Sequence, residues 1–362
     1  MLWTKYRCGN LTLRRGKFTP SSKEGYRDSV TFLPEHEDSD IQIFDAESPD
    51  YGRVNRWLSF CRENHTGVCG KLPERKISGL RVIDCKTRTM AALPLNCPYI
   101  TLSYVWGSER EAEQHLRFDA PQLPSQLPKT IEDAMEICLR IDVPFLWVDR
   151  YCINQADAAE KQHLISNMDI IYRNAEVTII AAAGKDPSEG LPGVRGTPRS
   201  LPKTIKIGPD TFVELRKNWT GRECEWNSRG WTYQEGLFSR RRLVFMESQI
   251  AFQCMQHFFF ESLKDGISPG HYQRTRDFVG EALFPLRTQM HTRRSVVDAL
   301  HKDLTQYYTR KFTFSGDILN GFQGISNYYR EMEVLSENKF KHFWGITYPL
   351  CIWFDTFIFL CG

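Results

Sequence analysis

The chain has 362 residues, 41% of them hydrophobic, enough to bury the core of one large domain or two modest ones. A formal net charge of +3 with 25% charged residues gives no reason to expect wholesale electrostatic binding to nucleic acid or a solvated acidic tail. Its 11 cysteines sit at irregular spacings, some inside apolar runs such as Ile137-Cys138-Leu139, which reads as reduced thiols in an intracellular, cytoplasmic protein.

Residues 1–50 are rich in Ser, Asp, Glu and Pro without a clear period and read as an irregular leader. The segment Met1 to Arg15 is polar and basic and lacks the apolar stretch of a secretory signal. Residues 51–98 form an extension, with an amphipathic helix over Val54 to Phe60 and a strand at Arg81-Val82-Ile83-Asp84.

The main domain spans 99–255. It opens with a β-rich run from Tyr99 to Gly107, as expected of a buried strand that stops at a functional loop. A helix follows Pro128, its apolar positions Ile131, Ala134, Met135, Cys138 and Leu139 at helical spacing, with Thr130 as N-cap and Asp133 in the capping-box place. Phe145-Leu146-Trp147-Val148 makes a second strand, and Asp149 stands where it leaves the sheet. Asp157 caps a second helix with Leu164, Met168, Ile171 and Tyr172 on one stripe, and Val177 to Ala183 supplies a third strand. This β-α-β-α-β order, with right-handed crossovers, predicts a parallel, doubly wound α/β sheet whose ligands bind beyond the carboxyl ends of the strands.

Thr204 to Ile207 and Thr211 to Leu215, separated by Gly208-Pro209-Asp210, predict a β-hairpin insertion. A helix begins at Ser228 and runs to Glu235, followed by paired strands at Arg242 to Phe245 and Ile250 to Cys254. Residues 256–362 are expected to be mainly helical, with Ser315 capping the segment led by Asp317. The apolar stretch Ile346 to Leu360 contains Pro349 and Asp355 and is short for a membrane span, so no span is expected. The stop at Cys361-Gly362, without a polar tail, is compatible with truncation.

Three ordered blocks resemble the fungal HET (heterokaryon incompatibility) domain: Leu102 to Gly107, Leu146 to Gln155, and Arg229 to Glu235. The helix Met168 to Ala175 also looks like that family's, and the resemblance covers roughly residues 77–252, departing at Arg150-Tyr151. The HET domain is in turn distantly similar to TIR domains, which implies a flavodoxin-like parallel sheet. In that resemblance Ser228, Trp231 and Glu235 stand in for the TIR serine, tryptophan and catalytic glutamate.

Some TIR domains cleave NAD at the nicotinamide bond, so the resemblance implies Glu235 as catalytic acid, with NAD as substrate and no cofactor required. The implied role is non-self recognition ending in regulated cell death, through self-association or other cell-death signalling proteins. A non-enzymatic assembly module is the alternative.

Site candidates carry competing readings. A carboxylate beside a ribose stabilises an oxocarbenium-like transition state, which favours Glu235, while a helix-terminal Glu paired with Arg229 or Arg240 is the bland account. Asp149 gains weight from its place at the sheet edge, or else caps the following loop. Ser103 and Gly107 lie in the first block. Trp106 and Trp231 offer rings for stacking on a nucleobase, with core packing favoured. Asn154 and Gln155 offer amides for recognition or for loop closure.

Arg240-Arg241-Arg242 reads as a solvated edge, with phosphate binding as the sharper option. Cys61, His65 and Cys69, at helical or near-helical spacing, could with Cys85 farther on form a Cys3His zinc site, but without a C-x2-C knuckle thiol packing is favoured and no metal is assigned. Gly190 to Gly196 lacks the spacing of a phosphate loop and reads as a turn.

Overall fold

The computed structural model describes residues 5–8, 11–14, 30–35, 42–45, 47–67, 69–70, 77–107, 122–215, 224–265, 283–284, 292–312, 317–330, 340–343 and 346–349. The first helix, α1 (Tyr51–Asn64), starts at Asp50, whose carboxylate accepts from the Arg53 amide at 2.9 Å. It buries Val54, Trp57, Leu58 and Cys61, a stripe at helical period. Strands β4 (Arg81–Asp84) and β5 (Thr89–Ala92) then form an antiparallel pair.

The centre of the molecule is built by β6 (Ile100–Ser103), β7 (Phe145–Trp147), β8 (Val177–Ala181) and β11 (Arg241–Phe245), adjacent in the order β7-β6-β8-β11 and all parallel. Every residue of β6, β8 and β11 is buried, the continuous pattern of strands covered on both faces. Antiparallel strands extend both edges: β4 and β5 beyond β7, and β12 (Ile250–Cys254) and β13 (Phe258–Phe260) beyond β11. The protein is thus α/β with a mixed sheet, parallel over its four central strands and antiparallel at both edges.

Crossovers are made by α2 (Lys129–Arg140) between β6 and β7, and by α4 (Ala158–Ser166) and α5 (Met168–Asn174) between β7 and β8. Asp157 caps α4 as expected, accepting from Ala159 and Glu160 amides. The single helix expected there is broken at Asn167, yet Leu164, Met168, Ile171 and Tyr172 are all buried.

At α2 the expected cap is different. Pro128 holds the N-cap position, so Thr130 lies inside the helix and its hydroxyl accepts from the Gly190 amide. Asp133, instead of closing a capping box, accepts from the Leu191 amide at 2.8 Å and the Thr197 hydroxyl at 2.9 Å. Leu139 faces outward at 38% exposure, one position beyond the buried stripe.

Gly190 stands at φ +79°, and a Cβ there would meet the Asp133 carboxylate at 2.6 Å. The Gly190 to Gly196 segment is the expected turn, moored to α2 by this buried carboxylate. Replacing Asp133 with leucine leaves both donors unpaired in the interior, so we expect a loss of about 3 kcal/mol in urea unfolding, and a smaller one for Asp133→Asn. Equal stability of Asp133→Leu and wild type would refute the mooring.

The hairpin of β9 (Thr204–Ile207) and β10 (Asp210–Leu215) forms as expected. It joins β1 (Lys5–Cys8), β2 (Leu11–Arg14) and β3 (Val30–Glu35) in a second sheet, through antiparallel pairing of β3 with β10. Residues 1–50 therefore contain strands where an irregular leader is expected. The β3 pairing is with a partner far away in sequence, which local composition does not signal.

Helices α6 (Glu225–Ser228) and α7 (Gly230–Phe238) precede β11. Beyond β13, α8 (Arg293–Tyr308) and α9 (Asp317–Arg330) supply the expected helices, and β14 (Phe340–Phe343) with β15 (Ile346–Pro349) adds an antiparallel pair that a helical reading does not anticipate. Ser315 and the stretch beyond Pro349 lie outside the described residues. Among the described residues no helix is long and apolar enough to cross a membrane.

Candidate functional site

Two carboxyl groups lie beyond the carboxyl ends of the parallel strands, close enough for one to feel the charge of the other. Ser103 closes β6, Asp149 follows directly after β7 and opens the short helix α3 (Asp149–Cys152), and Glu235 projects from α7. The Ser103 hydroxyl donates to Glu235 Oε2 at 2.5 Å and accepts from Trp226 Nε1 at 2.7 Å. Asp149 accepts from the Trp106 indole at 3.0 and 3.2 Å and from the Arg150 amide at 2.7 Å.

The two carboxyls differ in environment. Glu235 is enclosed at 5% exposure, and burial, followed by the charge of Asp149, pushes it up to about 8. Ser103, Arg229 and Tyr172 oppose that shift. Asp149 is half-buried by surface area while its carboxyl is ringed by protein; burial raises it to about 6, against the Arg150 amide, Trp106 and Arg229. Both carboxyls are raised by burial, and Glu235, the more enclosed, holds its proton to higher pH than Asp149.

Two tyrosines complete the surroundings. The buried Tyr172 hydroxyl donates to Leu102 O at 3.3 Å and also contacts Glu235. The Tyr104 hydroxyl is buried under the influence of both carboxyls and has no hydrogen-bond partner among the described residues. A buried, unpartnered hydroxyl costs on the order of 1–3 kcal/mol, and beside a carboxyl pair it marks a place where a donor or acceptor is wanted.

Of the residues picked from sequence, Glu235, Asp149, Ser103 and Trp106 belong to this site. Gly107 turns the chain away from β6 at φ +79°, where a Cβ would crowd Asp186 and Pro187 at 3.2 Å. Asn154 and Gln155 close their own loop, Asn154 accepting from the Ala156 amide at 3.1 Å and Gln155 donating to Ile153 O at 3.4 Å. Ser228 donates to Glu225 O at 2.8 Å within α6, so its hydroxyl serves a turn. Trp231 is half-buried against the core.

A serine and a tryptophan do accompany Glu235, but they are Ser103 and Trp226. The sequence reading missed Trp226, Tyr172 and Tyr104 as site residues, although Tyr104 lies inside the first block.

The arginine run is neither a solvated edge nor a phosphate clamp. Arg240 donates to carbonyls of Arg173, Gly70 and Ala175, Arg241 to Glu176 and Cys69, and Arg242 to Gly236 and Leu237, all from buried positions. Glu235 likewise is no helix-terminal partner of Arg240; it sits in the second half of α7.

Residues 99–235 match the family of the heterokaryon incompatibility protein, HET. That segment of the chain is similar to the HET domain of fungal incompatibility proteins. All of the carboxyl site falls within that segment, with Glu235 as its last residue. The chain is 25% identical over 143 residues to the vegetative incompatibility protein HET-E-1 of Podospora anserina, a stretch covering 38% of this chain and 9% of that protein. It is 31% identical over 100 residues to heterokaryon incompatibility protein 6, OR allele, of Neurospora crassa, covering 24% of this chain and 15% of the relative. The chain thus matches a small part of the length of both relatives. No solved structure matches it.

Proposed function

We propose that this HET-domain chain acts in fungal non-self recognition and promotes cell death by cleaving the N-glycosidic bond of a nicotinamide dinucleotide. The observation that carries the chemistry is the pair of carboxyls beyond the parallel strands, Glu235 enclosed and bonded by Ser103 and Asp149 bonded by Trp106, which burial raises to about 8 and about 6. Carboxyl groups pushed to different values by their surroundings are the usual way a site holds one acid and one base at the same pH. The order β7-β6-β8-β11 supports a flavodoxin-like, TIR-like reading, since such sheets bind ligands where the strand order reverses, beside β6. The incompatibility named in both relatives supports the biological role.

In this scheme the bond from ribose C1′ to the pyridinium nitrogen breaks, its electron pair leaving with neutral nicotinamide. Ionised Asp149 stabilises the cationic sugar and takes the proton of the water that adds to C1′. As the cationic ring approaches, Glu235 loses its proton to solvent, and its carboxylate then orders the ribose hydroxyls. Purified chain incubated with NAD, also under crowding, is expected to release nicotinamide. Glu235→Gln and Asp149→Asn should each slow release between about a hundredfold and ten-thousandfold. Release unchanged in both variants, or none from wild type, overturns the reading.

The enclosure of Glu235 favours a second reading, a non-enzymatic assembly module whose association triggers a downstream effector. In a fungal host, toxicity that persists in Glu235→Ala and vanishes when association is disrupted would select it.

A further inference from the structure

At the opposite end of the parallel strands lies a second cluster that the carboxyl site does not use. Cys61 and His65, one turn apart at the end of α1, meet Cys69 from the following loop and Cys254 from the end of β12. Their ligand atoms, three Sγ and one imidazole nitrogen, all lie within 4.8 Å of one another. The three thiols are buried and free of disulfides, while His65 is half-buried. The fourth position suggested by spacing, Cys85, is not part of this group; its thiol adjoins Cys138.

We propose that Cys61, His65, Cys69 and Cys254 form a structural zinc site. A tetrahedral Cys3His centre with Zn–S near 2.3 Å places its ligand atoms roughly 3.5–3.8 Å apart, so the cluster needs only a small contraction around the ion. His65 Nδ1 and Cys254 Sγ are already 3.3 Å apart.

The surroundings match thiolates better than packed thiols. Cys254 Sγ accepts from the amides of Gln256 at 3.4 Å and His257 at 3.2 Å, and Cys61 Sγ accepts from Arg241 Nε at 3.2 Å. On binding, three thiols release their protons to solvent, and zinc accepts lone pairs from three sulfurs and one nitrogen. The centre is left with a net charge of −1, which the buried Arg241 guanidinium offsets.

The site joins segments nearly two hundred residues apart and fixes α1 against the sheet edge. The register places it at the amino end of the parallel strands, since Arg241, which opens β11, pairs with Cys254. Its role is therefore to hold the scaffold, with no part in the carboxyl chemistry.

The full chain, purified under reducing conditions without added metal, is expected to carry one zinc by elemental analysis. X-ray absorption should find three sulfurs near 2.3 Å and one nitrogen near 2.0–2.1 Å. Cobalt(II) exchanged into the unmutated chain should give tetrahedral thiolate spectra. Cys254→Ala should lose the metal and Cys85→Ser keep it. A folded wild-type chain that holds no zinc and takes up no cobalt overturns the proposal, as does mass mapping that finds a disulfide among Cys61, Cys69 and Cys254. Both results are read on wild type, so a variant that fails to fold does not obscure them.

Discussion

Glu235→Gln is expected to make the chain more stable than wild type at pH 8, by on the order of 3 kcal/mol, and to change stability little at pH 5. The carboxyl is carried from an ordinary value of 4.5 to about 8 because folding encloses it beside Asp149. Between those two values the folded chain binds more protons than the unfolded one, so stability falls as pH rises from about 4.5 to about 8 and levels off above. Glutamine has no proton to lose. Its carbonyl can accept from Ser103, and its amide can donate to the Tyr172 hydroxyl, so the neutral form is reproduced at every pH.

Asp149, raised to about 6, adds a smaller loss of the same sign as pH rises from about 4 to 6, and it remains in the variant. Urea unfolding of both proteins from pH 5 to 9 checks this. Parallel profiles would mean that Glu235 is ionised in the folded chain and that the acid and base assignments fail.

The parts of the fold that were legible in the sequence are those specified locally. The runs from Tyr99, Phe145 and Val177 are continuous apolar strands ending in Gly or Asp, and their alternation with helices predicts the parallel core. Asp149 was legible for the same reason, since a carboxylate at the exit of a buried strand stands out.

What depends on register was not legible. Trp226 reaches Ser103 across 123 residues, with no periodic signal to announce it. The TIR resemblance pointed to Ser228 and Trp231, but α6 and α7 break at Arg229 and send the Ser228 hydroxyl into a turn. Tyr172 reads as one more residue of an apolar stripe, and only its hydroxyl beside Glu235 sets it apart. Cys254 and the pairing of β3 with β10 were hidden likewise, because both are fixed by sheet assembly.

Arg242→Leu is expected to cost about 3–5 kcal/mol. Helix α7 ends at Phe238 against an extended Ser239, with no glycine to turn its last carbonyls inward. Side chains do that work. Ser239 Oγ donates to Glu235 O at 2.6 Å, Arg242 Nε to Gly236 O at 2.5 Å, and Arg242 Nη2 to Leu237 O at 3.1 Å. The guanidinium also stands 4.7 Å from the centre of the Phe284 ring, a desolvated cation–π contact.

Leucine fills part of the volume and leaves the carbonyls of Gly236 and Leu237 without these donors in the interior. Lysine keeps the charge but not the planar fork, so Arg242→Lys should recover less than half of the loss. Because the same helix end positions Glu235, the variant should also flatten the stability change between pH 5 and 8, as water enters beside the carboxyl. Unfolding curves for the two variants at both pH values test the argument. A loss below about 1 kcal/mol for Arg242→Leu would show that α7 holds its end without the arginine.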